Sequence, residues 1–300
     1  MYLCTARFSR SARQTLGTKL VVYGTEIDIE TGRSLDRPVL LRCPPIRERV
    51  AEGPHIVKKD GLYYLFTAEG GTGPGHHVFV TRSHHPLGPY EPPPDGVNPV
   101  VFNGNDFSVR RTGHADLTQD IDGKWWSVVL GVRPQDGAMF QLGRETFLSP
   151  VEWAEGDWPV FNKGEVISAS LPAGLPLSRR PTTWRDDFQH GASSGWYHLR
   201  TPIHPIHRVK NGQLTMYGNA HTISLFESPA ILLRKQTAYS GVWTTALDFQ
   251  PLDAYEEAGT TIFYSGESYA AILIRQGEIS REVVVRWTDP IRRDIQVRGI

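Results

Sequence analysis

The sequence has 300 residues, room for one large domain or two medium ones at a soft prior of about 150 residues each. Lys+Arg and Asp+Glu number 32 each, so neither a nucleic-acid backbone nor an anionic membrane surface meets a complementary charge, and neither is expected as a partner. Only Cys4 and Cys43 are cysteines, which excludes a disulfide scaffold or a cysteine-rich zinc site and predicts free thiols. A hydrophobic content of 39% excludes a disordered chain, while 8 Trp, 11 Tyr, 12 Phe, 29 Gly and 22 Pro suit a turn-rich β protein.

From Met1 to Leu20 there is no acidic residue, but Arg7, Arg10, Arg13 and Lys19 occur with several Ser and Thr. That composition is loosely similar to a mitochondrial transit peptide. Nothing apolar recurs there with a helical or strand period, so residues 1–19 are expected to be a poorly ordered start. No run approaches the roughly 18 apolar residues of a membrane span, and no secretory apolar core is present. A soluble, cytoplasmic protein is the expectation, with secretion of a longer form left open. Both ends read as cut, because strand-like Glu282-Val283-Val284-Val285-Arg286-Trp287 is followed by a charged run and a stop.

Between Leu20 and about Asn162, short apolar or alternating runs are broken by turn signals at intervals of about ten residues. Lys59-Asp60-Gly61 precedes Leu62-Tyr63-Tyr64-Leu65-Phe66-Thr67-Ala68, and Asp122-Gly123-Lys124 precedes Trp125-Trp126-Ser127-Val128-Val129-Leu130. Each is a hairpin signal. Two cycles share a layout in which a polar segment with a histidine (His55, His114) leads into a strand, a turn and an aromatic-rich strand. The two histidines lie roughly 60 residues apart, near the roughly 50-residue period of four-stranded propeller blades. The run from Ser168 to Arg180 has linker composition, and a domain boundary is expected near Pro181. Beyond it, alternating stretches at 213–217, 230–234, 241–249, 260–265 and 270–274 predict strands of a β-sandwich.

Several residues could carry chemistry. Glu52 sits in Val50-Ala51-Glu52-Gly53-Pro54-His55 among small or apolar neighbours, a setting in which desolvation raises a carboxyl toward the range of a general acid. A solvated turn carboxylate is the commoner fate of such a residue. Asp116 beside His114 and the Arg144-Glu145 pair are ordinarily structural ion pairs, though an arginine among polar groups can fork onto sugar hydroxyls. His76 and His77 are adjacent and would point to opposite faces of a strand, which argues against shared metal ligation. Trp125, Trp126, Trp153 and Trp158 could stack on sugars or pack in a core. No Walker loop, nucleophile elbow or His-Glu-x-x-His motif occurs.

Together, Glu52-Gly53-Pro54-His55-Ile56, the run from Lys58 to Thr72, Thr112-Gly113-His114-Ala115-Asp116-Leu117, Trp125-Trp126 and Leu142-Gly143-Arg144-Glu145-Thr146-Phe147-Leu148-Ser149-Pro150-Val151 resemble glycoside hydrolase family 43. The match is to its β-xylosidase/α-L-arabinofuranosidase branch. Trp184-Arg185-Asp186-Asp187-Phe188 and Ser228-Pro229-Ala230-Ile231-Leu232-Leu233-Arg234 resemble the concanavalin-A-like sandwich appended to that branch. The resemblance implies an all-β chain. A partial five-bladed β-propeller, roughly half complete, spans 20–167, a linker spans 168–181, and a truncated β-sandwich spans 182–300. It further implies inverting exo-hydrolysis of xylosides or arabinofuranosides. Glu52 then matches the general acid, Arg144 the arginine that binds sugar hydroxyls, and Thr72 and His114 further pocket positions. No cofactor is required, although relatives hold a calcium ion or water cluster near the position of His114. The partner implied is a xylo-oligosaccharide or an arabinose-substituted oligosaccharide. The family's general-base aspartate and acid-tuning aspartate find no counterpart before Glu52, so an inactive fragment or sugar-binding remnant is the alternative expectation. Open blade edges would favour self-association.

Overall fold

The structure is a computed structural model that describes residues 1–9, 19–45, 50–105, 107–135, 140–172, 174, 181–288 and 295–299. The chain divides into two compact units, Met1–Leu177 and Ser178–Ile300. Both are built from strands, and no helix among the described residues is long and apolar enough to cross a membrane.

The first unit holds three antiparallel sheets, each in sequence order. The first comprises β1 (Tyr2–Ser9), β2 (Lys19–Glu26) and β3 (Val39–Arg42); the second β4 (Ala51–Lys59), β5 (Leu62–Glu69) and β6 (His77–Ser83). The third comprises β7 (Arg110–Gln119), β8 (Trp125–Val132), β9 (Glu145–Glu152) and β10 (Val160–Phe161). The leading strands neighbour one another, β1 against β4 and β4 against β7. Asp60 and Gly61 both take positive φ, 51° and 77°, the conformation that a two-residue hairpin between β4 and β5 requires.

Strand β1 corrects the expectation of a disordered start. It pairs with β2 from Tyr2 opposite Glu26 to Ser9 opposite Lys19. The inward positions of the strand are Cys4 and Ala6, while Tyr2, Leu3 and Phe8 stay exposed. Tyr2, Cys4, Ala6 and Phe8 share one face by the period of two, but only the small Cys4 and Ala6 in the middle are shielded while both ends stay exposed, so the signal is short. Residues 10–18 lie outside the described part of the chain.

The apolar run of β5 follows from burial on both faces. Tyr64, Phe66, Val78 and Val80 join Val129, Phe147, Trp153 and Phe161 in the core between the second and third sheets. Leu65, on the opposite face, joins Val22, Leu41 and Ala51 in a second core. Trp153 receives the edges of Tyr64 at 4.6 Å and Phe66 at 5.9 Å between ring centroids. Trp126 and Trp153 are buried, and Trp125 and Trp158 pack on the same core. These four tryptophans are therefore packing residues rather than exposed sugar platforms.

The second unit contains β11 (Tyr197–His198) paired with β14 (Leu232–Leu233), and β12 (His207–Lys210) paired with β13 (Gln213–Met216). A four-stranded antiparallel sheet follows, β15 (Glu257–Ser265), β16 (Ser268–Gln276), β17 (Arg281–Thr288) and β18 (Ile295–Gly299). Its core is small: Tyr269, Ala271, Leu273 and Val284, with Ile223 and Phe263 against it. Residues 241–249, expected as a strand, form none. Val242 is 95% exposed and the alternating side chains find no buried face, so the pattern alone does not recruit a pairing partner. Near the start of the unit, burial pushes the Asp186 carboxyl up, but hydrogen bonds from Ser193, Trp196 and Phe188 outweigh it and hold the group at about 2.

Candidate active site

Glu52 lies half-buried on β4, opposite Ala68 of β5. Immediately after it the ladder slips, with a register shift between Glu52 and His55 and a positive φ of 52° at Gly53. A bulge at this point re-aims the side chains that follow and increases the local twist. Strand β7 is distorted at the corresponding place. Its register with β8 shifts on both sides of Gly113, and Arg111 and His114 adopt positive φ of 55° and 54°.

The two distortions bring the leading strands together. The His114 ring lies on Gly53, where an ideal Cβ would stand only 2.3 Å from Nε2, so no side chain fits there. His55 follows at 5.8 Å between ring centroids from His114. Its Nδ1 is 3.3 Å from Oδ1 of Asp116. Burial holds the His114 imidazole below its ordinary value; His55 and Arg144 add to this, while Glu52 and Asp116 oppose it. Burial also lowers His76, which feels Arg144, His114 and Glu52. Glu52, His114 and Arg144 thus share one electrostatic neighbourhood, and His76 belongs to it as well.

Arg144 is exposed just ahead of β9, after a turn closed by the Gly143 N–H donating to the Phe140 carbonyl at 2.7 Å. Glu145 takes a different partner: Arg133 grips its carboxylate through Nε and Nη2 at 2.9 and 2.7 Å. Thr72 is exposed in the loop between β5 and β6. Among the described residues, Thr72 makes no hydrogen bond or ion pair with Glu52, His114 or Arg144. Free Cys4 on β1 is a half-buried thiol that burial pushes up to about 11, so it is a poor nucleophile.

A calcium ion takes about 6–8 oxygen ligands. His114 offers a ring nitrogen, and the described residues contain no group of three or more His, Cys, Asp or Glu able to hold a metal. The described residues around His114 do not fit a protein-ligated calcium. The lowered imidazoles do make stability depend on pH. Unfolded, each takes up a proton near 6.5; folded, it resists, so the unfolded state binds more protons below that pH. Their contribution is complete above pH 6.5 and declines as pH falls through 6.5 toward the folded values. Urea unfolding at about pH 5.5 is expected to occur at lower denaturant than at about pH 7.5. The gap should narrow in His76→Asn; an equal gap in that variant would remove His76 as a contributor.

Sequence reasoning singled out Glu52, His114 and Arg144, which the structure brings into one neighbourhood, but gave no role to His76, whose neighbours Arg111 and Gly113 are remote in sequence. It also missed two buried polar anchors. Glu69 is fully buried, gripped by Arg42 Nε at 2.7 Å and Nη2 at 3.0 Å, and receives the Thr67 hydroxyl at 2.8 Å. Asn103 ties residues 109–112 to Ile167 through both ends of its amide.

The sequence profile of Glycosyl hydrolases family 43 matches residues 2–159, and that of the Beta xylosidase C-terminal Concanavalin A-like domain matches 185–297. The first match takes in β1, ahead of the expected boundary at residue 20. The chain is 38% identical over 247 residues to a non-reducing end alpha-L-arabinofuranosidase of Bacteroides ovatus, covering 79% of this chain and 46% of that protein. It is 31% identical over 253 residues to a xylan 1,3-beta-xylosidase of a Vibrio species, covering 78% and 46%. The solved structure of the Bacteroides ovatus Xyloglucan PUL GH43B protein superposes with TM-score 0.77 at 33% identity, covering 93% of this chain and 56% of that one. The Bacillus licheniformis protein BlXynB superposes with TM-score 0.76 at 28% identity, covering 93% and 55%. The chain spans about half the length of the curated relatives it matches. With its N-terminal unit and its C-terminal unit each matched, this chain belongs to glycosyl hydrolases family 43 and carries the concanavalin A-like domain of beta-xylosidases.

Proposed function

We propose that Glu52 is the general acid of an inverting exo-hydrolase for β-xylosides or α-L-arabinofuranosides, with Arg144 and His114 binding the terminal sugar and Thr72 at the rim. The observation that carries this reading is the convergence of Glu52 and Arg144 on His114 across two bulged leading strands. The three sheets of the first unit are read as three blades of a propeller whose leading strands line the axis. The second unit is read as an incomplete concanavalin-A-like sandwich. The names of the relatives, arabinofuranosidase and xylosidase, support pentosides of hemicellulose as the substrate class.

In the acid step, Glu52 protonates the glycosidic oxygen as the bond to the anomeric carbon breaks. Inversion also needs a carboxylate about 6.5–9.5 Å away to draw a proton from the attacking water. Asp116 is committed to His55, and Glu69 is locked by Arg42 and Thr67. Both are paired, and no other carboxylate among the described residues is assigned to that role, so the 300-residue chain by itself is proposed to bind pentose without turning over substrate. Nitrophenyl β-xyloside and α-L-arabinofuranoside are expected to release no nitrophenol above buffer. Calorimetric titration with xylose or arabinose is expected to give binding heat that Arg144→Ala abolishes. Turnover that disappears in Glu52→Gln would overturn the assignment of a missing base. Absence of binding heat, or heat unaltered by Arg144→Ala, would overturn the sugar site.

A further inference from the structure

The proposed acid and sugar contacts leave the most deeply buried histidine among the described residues without a part. His76 precedes β6 and is 2% exposed. Its Nδ1 lies 2.9 Å from the carbonyl oxygen of Arg111. A carbonyl only accepts, so Nδ1 carries the proton, and in the neutral ring Nε2 holds a lone pair. At that edge the ring meets Gly113, where an ideal Cβ would stand 2.3 Å from Nε2. The imidazole fills space that only a glycine at 113 leaves open.

The segment His76 grips is costly to hold. Arg111 and His114 are not glycines, yet both sit at positive φ, a conformation that costs about 1–3 kcal/mol per residue and persists only where the surroundings impose it. Arg111 is held by its N–H donating to the Gly104 carbonyl at 2.9 Å and by its own carbonyl accepting from His76. Thr112 is held by Asn103. His114 then emerges from this turn onto Gly53. Two histidines are thus each seated on a glycine, His76 on Gly113 and His114 on Gly53, in a stack that ends beside Glu52.

We propose that His76 is a positioning residue: hydrogen-bonded to the Arg111 carbonyl and seated on Gly113, it holds the left-handed turn of β7 that lays His114 on Gly53 beside Glu52. The assignment rests on reading Glu52, His114 and Arg144 as the sugar site. Among the described residues, the charged or titratable groups that act on His76 are Glu52 from β4, His114 from β7 and Arg144 ahead of β9. A neutral ring suits this place, since a proton on Nε2 would bury a cation that also feels the charge of Arg144.

Nuclear magnetic resonance of the 300-residue protein tests this without requiring turnover. Imidazole nitrogen shifts are expected to show His76 neutral with its proton on Nδ1. A nuclear Overhauser contact between the His114 ring and the Gly53 α-protons is expected in the wild type. It should persist in His76→Asn, whose amide N–H can still reach the Arg111 carbonyl. It should be lost in His76→Leu and in Gly113→Ala, which crowds His76 from the other side while leaving both histidines in place. Contacts between Tyr64 and Trp153 report whether each variant keeps its core, and the comparison is made between variants that keep it. A proton on Nε2 of His76, or a His114–Gly53 contact that survives in His76→Leu and Gly113→Ala, overturns the proposal. A wild type that shows the expected contacts but binds neither xylose nor arabinose overturns the sugar-site reading instead and leaves the positioning role standing.

Discussion

Asn103→Leu is expected to destabilise the first unit by at least about 4 kcal/mol, because it removes one amide and orphans four buried groups at about 1–3 kcal/mol each. Asn103 is 2% exposed. Its Nδ2 donates to the carbonyls of Val109 at 2.8 Å and Ile167 at 2.7 Å. Its Oδ1 accepts from the Ile167 N–H at 3.0 Å and from the Thr112 hydroxyl at 3.2 Å. All four hydrogen-bonding positions of the amide are used, so the site gains nothing from water in the wild type. Leucine has nearly the same volume and leaves little space for water to replace the lost bonds. Asn103→Asp keeps both acceptors while presenting a carboxylate oxygen to two carbonyls, so it should fall between the wild type and the leucine variant only when protonated.

The expected damage is local before it is global. Asn103 ties the end of the first unit, at Ile167, to the approach of β7, and its loss frees Thr112 two residues before His114. Hydrogen exchange followed by mass spectrometry should therefore show protection falling by about 1,000-fold in peptides that span β7 and β8, since about 1.4 kcal/mol corresponds to each tenfold. Pentose binding should disappear with it. Exchange in β7 that matches the wild type would show that the strained turn is held without Asn103.

The elements that could be read from the sequence are those whose signals are local. The Asp60-Gly61 turn and the doubly buried run of β5 are encoded within a few residues of themselves. Strand β1 was hard to read because only Cys4 and Ala6 are shielded on a face whose ends, Tyr2 and Phe8, stay exposed. The 241–249 run misled for the opposite reason, since alternation is necessary for a half-buried strand but does not supply a sheet to join. What positions the site was hidden by distance along the chain. His76 and Arg111 are 35 residues apart, and Asn103 and Ile167 are 64 apart. Glycines 53 and 113 read as ordinary turn residues until the histidines that occupy their missing side-chain volume are located.

The second anchor sits behind Glu52 itself and supports the second large expectation. Glu69 lies opposite Ala51, the residue before Glu52, and opposite His77 on its other side, so its carboxylate is buried at the centre of the second sheet. Arg42 reaches it from β3, the edge of a different sheet, and its guanidinium also covers the Phe79 ring at 3.9 Å. One ion pair therefore joins two sheets directly behind the acid. Arg42→Met keeps much of the apolar stem but leaves a charge buried with only the Thr67 hydroxyl to solvate it, and removing one member of such a pair costs about 3–5 kcal/mol. The reverse change is milder. In Glu69→Gln the remaining arginine is 15% exposed and can turn toward water, while the glutamine still accepts from Thr67. Replacing both, Arg42→Met with Glu69→Leu, removes the buried charge along with its partner and should recover most of the lost stability. Exchange protection across β4 and β5 is thus expected to order as wild type, then the double variant, then Glu69→Gln, with Arg42→Met lowest. A double variant no more protected than Arg42→Met would show that the guanidinium acts through Phe79 and the sheet junction, with the unpaired carboxylate of Glu69 contributing little.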